Sequence, residues 1–227
     1  MDHSAYCLRP EFTQSLATRL LAGQSINLIS PHGQGRRRTL QDLRHTLGQS
    51  LVIYQISMRD YHADIKGFYN ELSIQMSHPC LEDDDLAGLF DAIEQSGQQA
   101  LLILHNFDEI RNRMALAGGY NQAFMQALNS VSHRDNIALL CVGESEYGDY
   151  LLQADGTAVS DSKLDADLLG LPALRHDQLL CELQRRALPL SATELNELTG
   201  WLLGRHAPYS ILDEKNIDWF KQRGWKP

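Results

Sequence analysis

The sequence predicts an α/β fold: a parallel sheet flanked by helices, with a small helical lid at the C-terminal end. Short apolar runs bounded by polar residues alternate with stretches whose apolar residues recur at three- and four-residue spacing, the pattern of strands alternating with amphipathic helices. One run, Ala100-Leu-Leu-Ile-Leu104, is continuously apolar, as a central strand covered on both faces must be. Beyond Leu171 the apolar runs give way to helical stretches, one of them opened by the capping box Ser191-Ala-Thr-Glu194.

Strands are expected at residues 26–29, at 51–57 (rich in β-formers), at 100–104 and at 136–143, which has a glycine exit. Leu171-Pro172 reads as the exit of a further strand, for about five in all. Helices are expected at 9–22, 39–47, 65–76, 85–95 and 120–131. The strands at 26–29 and 100–104 are expected to be parallel neighbours in the core. Residues 1–170 form the expected α/β core and 171–227 the lid-like subdomain.

The chemistry starts at Ile26-Asn-Leu-Ile-Ser-Pro-His-Gly-Gln-Gly-Arg-Arg-Arg-Thr-Leu40. A buried strand runs into a Pro/Gly turn and then into an amphipathic helix (Thr39, Leu40, Leu43, Leu47), the setting of a phosphate-binding loop. Laid on G-x-x-x-x-G-K-[ST] with Gly35 as the second glycine, Ser30 takes the first glycine position, Arg36 the lysine and Arg37 the Ser/Thr. Gly33 and Gly35 still permit a tight turn whose N–H groups, Gln34 among them, can face an anion, with Arg36, Arg37 and Arg38 as the basic candidates beside it. Arg36 can grip phosphate with a different geometry from lysine. Arg37 offers no oxygen to magnesium. The bland alternative is a Gly-rich turn before a basic first helical turn.

A second segment, Gln99-Ala-Leu-Leu-Ile-Leu-His-Asn-Phe-Asp-Glu-Ile110, carries the other half. It resembles the hhhhD-[DEN]-F-[DQ]-E-[LI] strand of AAA-type and signal-transduction P-loop ATPases, with His105 and Asn106 where that group has its metal-associated acidic pair. Asp108 and Glu109 read as charges at a helix start. Leu198-Thr-Gly-Trp-Leu-Leu-Gly-Arg-His-Ala-Pro208 loosely resembles the Gly-Gly-His-Pro stretch in the lid of the same ATPases, although a C-capping glycine followed by a basic residue and proline explains it structurally. Glu144, after the strand at 136–143, falls where the group places a polar sensor; a solvated loop carboxylate is the simpler reading. The resemblance spans most of the chain, its specific parts being the first two segments.

Both segments have lost their magnesium position, so the resemblance implies a degenerate P-loop ATPase-like protein, inactive in catalysis, that serves as a binding or assembly subunit. ATP or ADP held without magnesium is the cofactor it implies, and an ATPase-like protein or a second copy is the partner. Two alternatives stand beside it: a working NTPase in which Arg36 replaces the lysine, and a subunit of a mobile-element or defence assembly.

Composition narrows the classes. A chain of 227 residues with 43% hydrophobic content can bury its own core. A net charge of −9 opposes general nucleic-acid affinity. No apolar stretch of membrane-spanning length and no signal pattern is present, so a cytoplasmic protein is expected. Cys7, Cys80, Cys141 and Cys181 are isolated and expected to be reduced. His32, His45, His62, His78, His105, His133, His176 and His206 share no short ligand spacing, which disfavours zinc. The cluster Glu82-Asp-Asp-Asp85 reads as a solvated helix start. Residues 153–165, polar and small, read as a flexible surface loop where a partner or neighbouring subunit touches.

Overall fold

A computed structural model of the chain describes residues 7–48, 50–77, 85–209, 217–222 and 225. His78, Cys80 and the acidic residues Glu82, Asp83 and Asp84 lie outside the described residues. Five strands, β1 (Ile26–Ile29), β2 (Val52–Ser57), β3 (Ala100–His105), β4 (Ile137–Gly143) and β5 (Asp167–Gly170), form a parallel sheet in the order β2-β3-β4-β1-β5. The helices are α1 (Pro10–Leu21), α2 (Arg36–Leu47), α3 (Met58–Tyr61), α4 (Ile65–Met76), α5 (Leu86–Gln95), α6 (Gln122–Ser130), α7 (His176–Arg185), α8 (Ala192–Leu203) and α9 (Ile217–Gln222). Among the described residues no helix is long and apolar enough to cross a membrane.

One expectation needs correction. The strands at 26–29 and 100–104 belong to the same parallel sheet but are not neighbours. β4 lies between them, with Leu140 opposite both Ile26 and Ile103. Burial explains the order: all seven residues of β4 are buried, so it takes a central place where both faces are covered.

The chain divides into two compact units. A sheet unit comprises residues 17–30 and 47–170; a loop unit comprises 1–16, 31–46 and 171–227. In the sheet unit, Leu102, Leu104, Leu139 and Cys141 pack with Phe68 and Leu72 of α4, Leu89 and Phe90 of α5, and Phe124 and Leu128 of α6. Phe68 and Phe124 meet edge to face, ring centroids 5.7 Å apart. Burial raises the Cys141 thiol well above its ordinary pKa. In the loop unit a separate core gathers Leu8, Leu174, Leu179 and Leu183 of α7, Leu195, Leu198 and Leu202 of α8, Tyr209, Phe220 and Trp225. The capping box on α8 is present: Ser191 N donates to Glu194 Oε2 at 2.7 Å and Glu194 N to Ser191 Oγ at 3.3 Å. Asp85 caps α5 by accepting from Gly88 N at 2.8 Å.

The two edges of the sheet differ. On β2, Gln75 accepts from Gln55 N at 2.9 Å and donates to Gln55 O at 3.0 Å, so a side-chain amide stands in for a neighbouring strand. β5 is exposed at three of its four residues.

The stretch 153–165 lies largely exposed at the surface, as expected, and is anchored at several points. Buried Ser162 accepts at Oγ from Leu151 N (3.1 Å) and donates to Val159 O (2.7 Å). Asn129 donates to Lys163 O at 2.9 Å and accepts from Asp165 N at 2.8 Å. Its backbone groups find partners that the polar sequence does not announce.

Candidate functional site

The turn after β1 is made by two glycines in the left-handed region, Gly33 at φ +74° and Gly35 at φ +79°. Such a turn lets backbone approach closely, as the sequence suggests. What approaches is the chain itself. A methyl group on Gly33 would run into Ala207, and one on Gly35 would come within 2.9 Å of Leu8 Cδ2 and 3.1 Å of the Tyr209 ring. Tyr209 N donates to Gly33 O at 2.8 Å. The Tyr209 hydroxyl donates to Glu182 Oε1 at 3.2 Å, and the Arg186 guanidinium lies 5.6 Å from its ring centroid. Burial, reinforced by Glu182, pushes the phenol up to about 12, so it stays a neutral donor.

Arg9 holds the other side of the turn. Its side chain is 1% exposed and donates from Nε to Pro172 O (3.0 Å), from Nη1 to Thr39 Oγ1 (3.1 Å) and from Nη2 to Gln34 O (2.7 Å). Thr39 passes the chain on to Gly35 O at 3.2 Å. Burial lowers the Arg9 pKa to about 10, partly offset by Tyr209 and Asp42, and leaves it a cation at neutral pH. One fork-shaped donor thus joins the segment before α1, the turn, the first turn of α2 and the segment after β5.

The arginines at the start of α2 are not equivalent. Arg37 is exposed, Arg36 is half-buried with Nη1 shielded from solvent, and Arg38 is turned inward onto Asp42 at 3.1 Å. An i,i+4 carboxylate on the same helix face holds Arg38 there. Asp42 also accepts from Leu8 N at 2.9 Å. Burial raises the Asp42 pKa against the opposing pull of the Leu8 N–H and Arg38.

In the sheet unit, His105 ends β3 in register with Ser57 and Val142. Asn106 follows in the left-handed region (φ +55°), which asparagine tolerates, and donates to Ser57 Oγ at 3.2 Å. Asp108 and Glu109 lie in a 3-10 turn, Phe107–Ile110. They are charges in the first turn of that short helix, as expected, and each has a partner: Asp108 Oδ2 accepts from Glu144 N at 3.3 Å, tying the turn to the end of β4, and Glu109 pairs with Arg59 at 2.9 Å. Of the lid motif, Arg205 stacks 4.2 Å from the Trp201 ring and His206 is exposed. Gly204 caps α8 at φ −71°, a right-handed conformation open to any residue. Ala207 and Tyr209 meet the loop instead. No local signal marks Leu8, Arg9, Asp42 or Tyr209 as loop residues, since each is defined by partners distant in sequence.

α2 carries Arg37 as its second residue, β3 ends in His105, and Asp108 accepts from the backbone N–H of Glu144 after β4.

No protein-family model matches the chain, and no curated protein matches it in sequence. Solved structures do match in fold. Cdc6p from Pyrobaculum aerophilum aligns at a TM-score of 0.58 and 16% identity, over 84% of this chain and 54% of that one. A chain of Drosophila ORC bound to DNA aligns at 0.59 and 9%, over 88% and 52%. The Aeropyrum pernix ORC1 protein in complex with DNA aligns at 0.50 and 15%, over 79% and 49%. The chain therefore shares their α/β, P-loop NTPase-like fold, and it spans about half the length of the proteins it matches.

Proposed function

We propose that this chain is a P-loop ATPase-like protein that does not turn over nucleotide and acts in the cytoplasm as a binding or assembly subunit of a larger complex. The observation that carries the reading is the loop itself. Its two left-handed glycines are packed by Leu8, Ala207 and Tyr209, and the helix that follows presents Arg37 in place of the magnesium hydroxyl. A loop without a metal holder has nothing to neutralise charge developing on a transferred phosphoryl group. Nucleotide, if held, is ATP or ADP without magnesium, bound by Gly33, Gln34, Gly35 and Arg36. Residues 171–227 serve as the lid. Two of the similar structures contain DNA; the net charge of −9 on this chain supports a protein partner over nucleic acid.

Hydrolysis of ATP and GTP by the purified chain, with and without magnesium, tests this. No turnover above a mock preparation is expected. Magnesium-dependent hydrolysis that vanishes in Arg36→Ala would overturn the proposal in favour of a working NTPase with arginine in the lysine position. Acid release and chromatography of nucleotide carried through purification then decides whether the loop holds any.

A further inference from the structure

The two outer strands of the sheet end its hydrogen-bond ladder in different ways. Asp167 N donates to Ser25 O at 2.9 Å, so Asp167 and Leu169 direct their main-chain groups at β1, and the alternation of a strand turns those of Leu168 and Gly170 away from the sheet. Among the described residues no hydrogen bond reaches them there. On β2 the outward-facing Gln55 is stopped by the Gln75 amide, which satisfies both its N–H and its C=O. β5 has no such stopper. Its sequence, Asp167-Leu-Leu-Gly170, holds neither lysine nor proline and its register with β1 is unbroken, so it lacks the devices that commonly keep another strand from adding at an edge. Leu168, 52% exposed, sets an apolar side chain beside the open main chain. The chain enters β5 through exposed Asp161 and Asp165, against Lys163, on a stretch anchored through Ser162 and Asn129. Asp167 is already paired with Arg19 at 2.8 Å.

We propose that β5 is the docking edge for an extended, basic segment of a partner protein, which adds to the sheet as a further strand. The inference names the surface and the partner chemistry within the assembly reading above and rests on it. Strand addition follows from what the edge offers: unmet N–H and C=O groups in β geometry bond to any chain in the same conformation, and side chains on either side decide which one. Charge makes that choice here. Asp161 and Asp165, displayed from an anchored backbone, favour lysine or arginine in the entering segment and repel an acidic one. The strand is only four residues long, and each main-chain hydrogen bond contributes modestly, so the carboxylates beside it are needed to make the contact selective.

Binding of a dye-labelled heptapeptide of alternating lysine and valine to the full chain, followed by fluorescence anisotropy, tests the docking. Two control peptides accompany it: one with proline for each valine, which keeps the charge but is unfit for a ladder, and one with glutamate for each lysine. The alternating basic peptide is expected to bind more tightly than either, and to slow amide exchange at Leu168 and Gly170 without slowing it at Gln55. Leu168→Pro removes an outward donor while sparing the bonds to β1, since proline is tolerated on an edge. It should weaken binding about threefold to tenfold, with the Leu169 amide still protected as the sign that β5 has kept its place. Asp161→Asn with Asp165→Asn should weaken binding too and flatten its salt dependence, asparagine being chosen because Asp161 sits at φ +60°. A proline peptide that binds as well as the alternating one, or a bound peptide that leaves Leu168 exchanging freely, overturns the inference. So does self-association of the chain that protects Leu168 and Gly170 without peptide, which assigns the edge to a second copy. Magnesium-dependent hydrolysis sinks the assembly reading, whereas a peptide that fails to protect the edge of a chain without hydrolysis sinks this inference alone.

Discussion

The sheet unit and the loop unit each have an apolar core, but the loop unit adds buried polar hubs that the sheet unit does without. In the sheet unit, β3 and β4 are buried on both faces and the helices pack on them through Leu and Phe side chains, so position is shared among many small apolar contacts. The loop unit is assembled from three separated stretches of chain; a polar hub at Arg9 joins them, and a second at Glu182 ties α7 to Tyr209 within the last stretch. Arg9 reaches Pro172, Gln34 and Thr39; Glu182 takes Arg185 at 2.7 Å, Arg186 at 3.1 Å and the Tyr209 hydroxyl at 3.2 Å. Apolar packing spreads sensitivity over many residues, whereas a buried polar hub concentrates it in a few.

Truncating a hub should give the largest effect. Arg9→Ala removes a donor from two carbonyls and a hydroxyl and leaves a cavity, a loss of about 3–5 kcal/mol in urea unfolding. Amide exchange should quicken across 31–46 and 171–209 while β3 and β4 stay protected. Uniform acceleration would break the distinction between the units.

Leu139→Ala, at a fully buried position in β4, should cost about 2–5 kcal/mol with the opposite pattern, loosening β3 and β4 before the loop. Protection lost first at 31–46 would contradict it.

A pair of glycines sharpens the contrast. Gly33→Ala meets both a left-handed φ and Ala207, and should cost roughly 2–4 kcal/mol. Gly97→Ala has φ +66° but nothing within 4 Å, so about 1 kcal/mol of strain is all that should appear. Equal denaturation midpoints for the two variants would mean that Ala207 does not press on the loop.

The smallest effect is in pH. Burial alone would raise the Glu182 pKa, but the bonds from Arg185 and Arg186 outweigh it and hold it below its ordinary value of 4.5. A depressed carboxylate stabilises fully above the unfolded value and loses that contribution as pH falls through the folded one. Asp42, raised by burial, has the opposite sign, so the comparison is wild type against Glu182→Gln. As pH falls below 4.5, wild type should lose more thermal stability than the variant. Parallel profiles would remove Glu182 as a hub.

Much of this molecule is legible locally. A short buried run before a Pro/Gly turn marks residues 26–29 and period-3.6 patterning marks 65–76 with the same limits as β1 and α4, because burial imposes those patterns on the chain itself. The turn at Gly33 and Gly35 and the replaced residues Arg36, Arg37 and His105 are likewise visible, since each is a property of a short segment. What fills the turn is not, because Leu8, Arg9, Ala207 and Tyr209 reach it from both ends of the chain and carry no periodic signal. The strand order escapes for the same reason: β4 comes between β1 and β3 through long-range burial rather than chain proximity. Arg38 turns inward because of an ion pair on its own helix, yet choosing Asp42 over solvent depends on Leu8 burying that carboxylate. The sequence alone determined which segments become strands, helices and turns, through backbone sterics and the spacing of apolar residues. Only the tertiary structure decided which side chains meet, because buried hydrogen bonds and close contacts join residues that the chain keeps far apart.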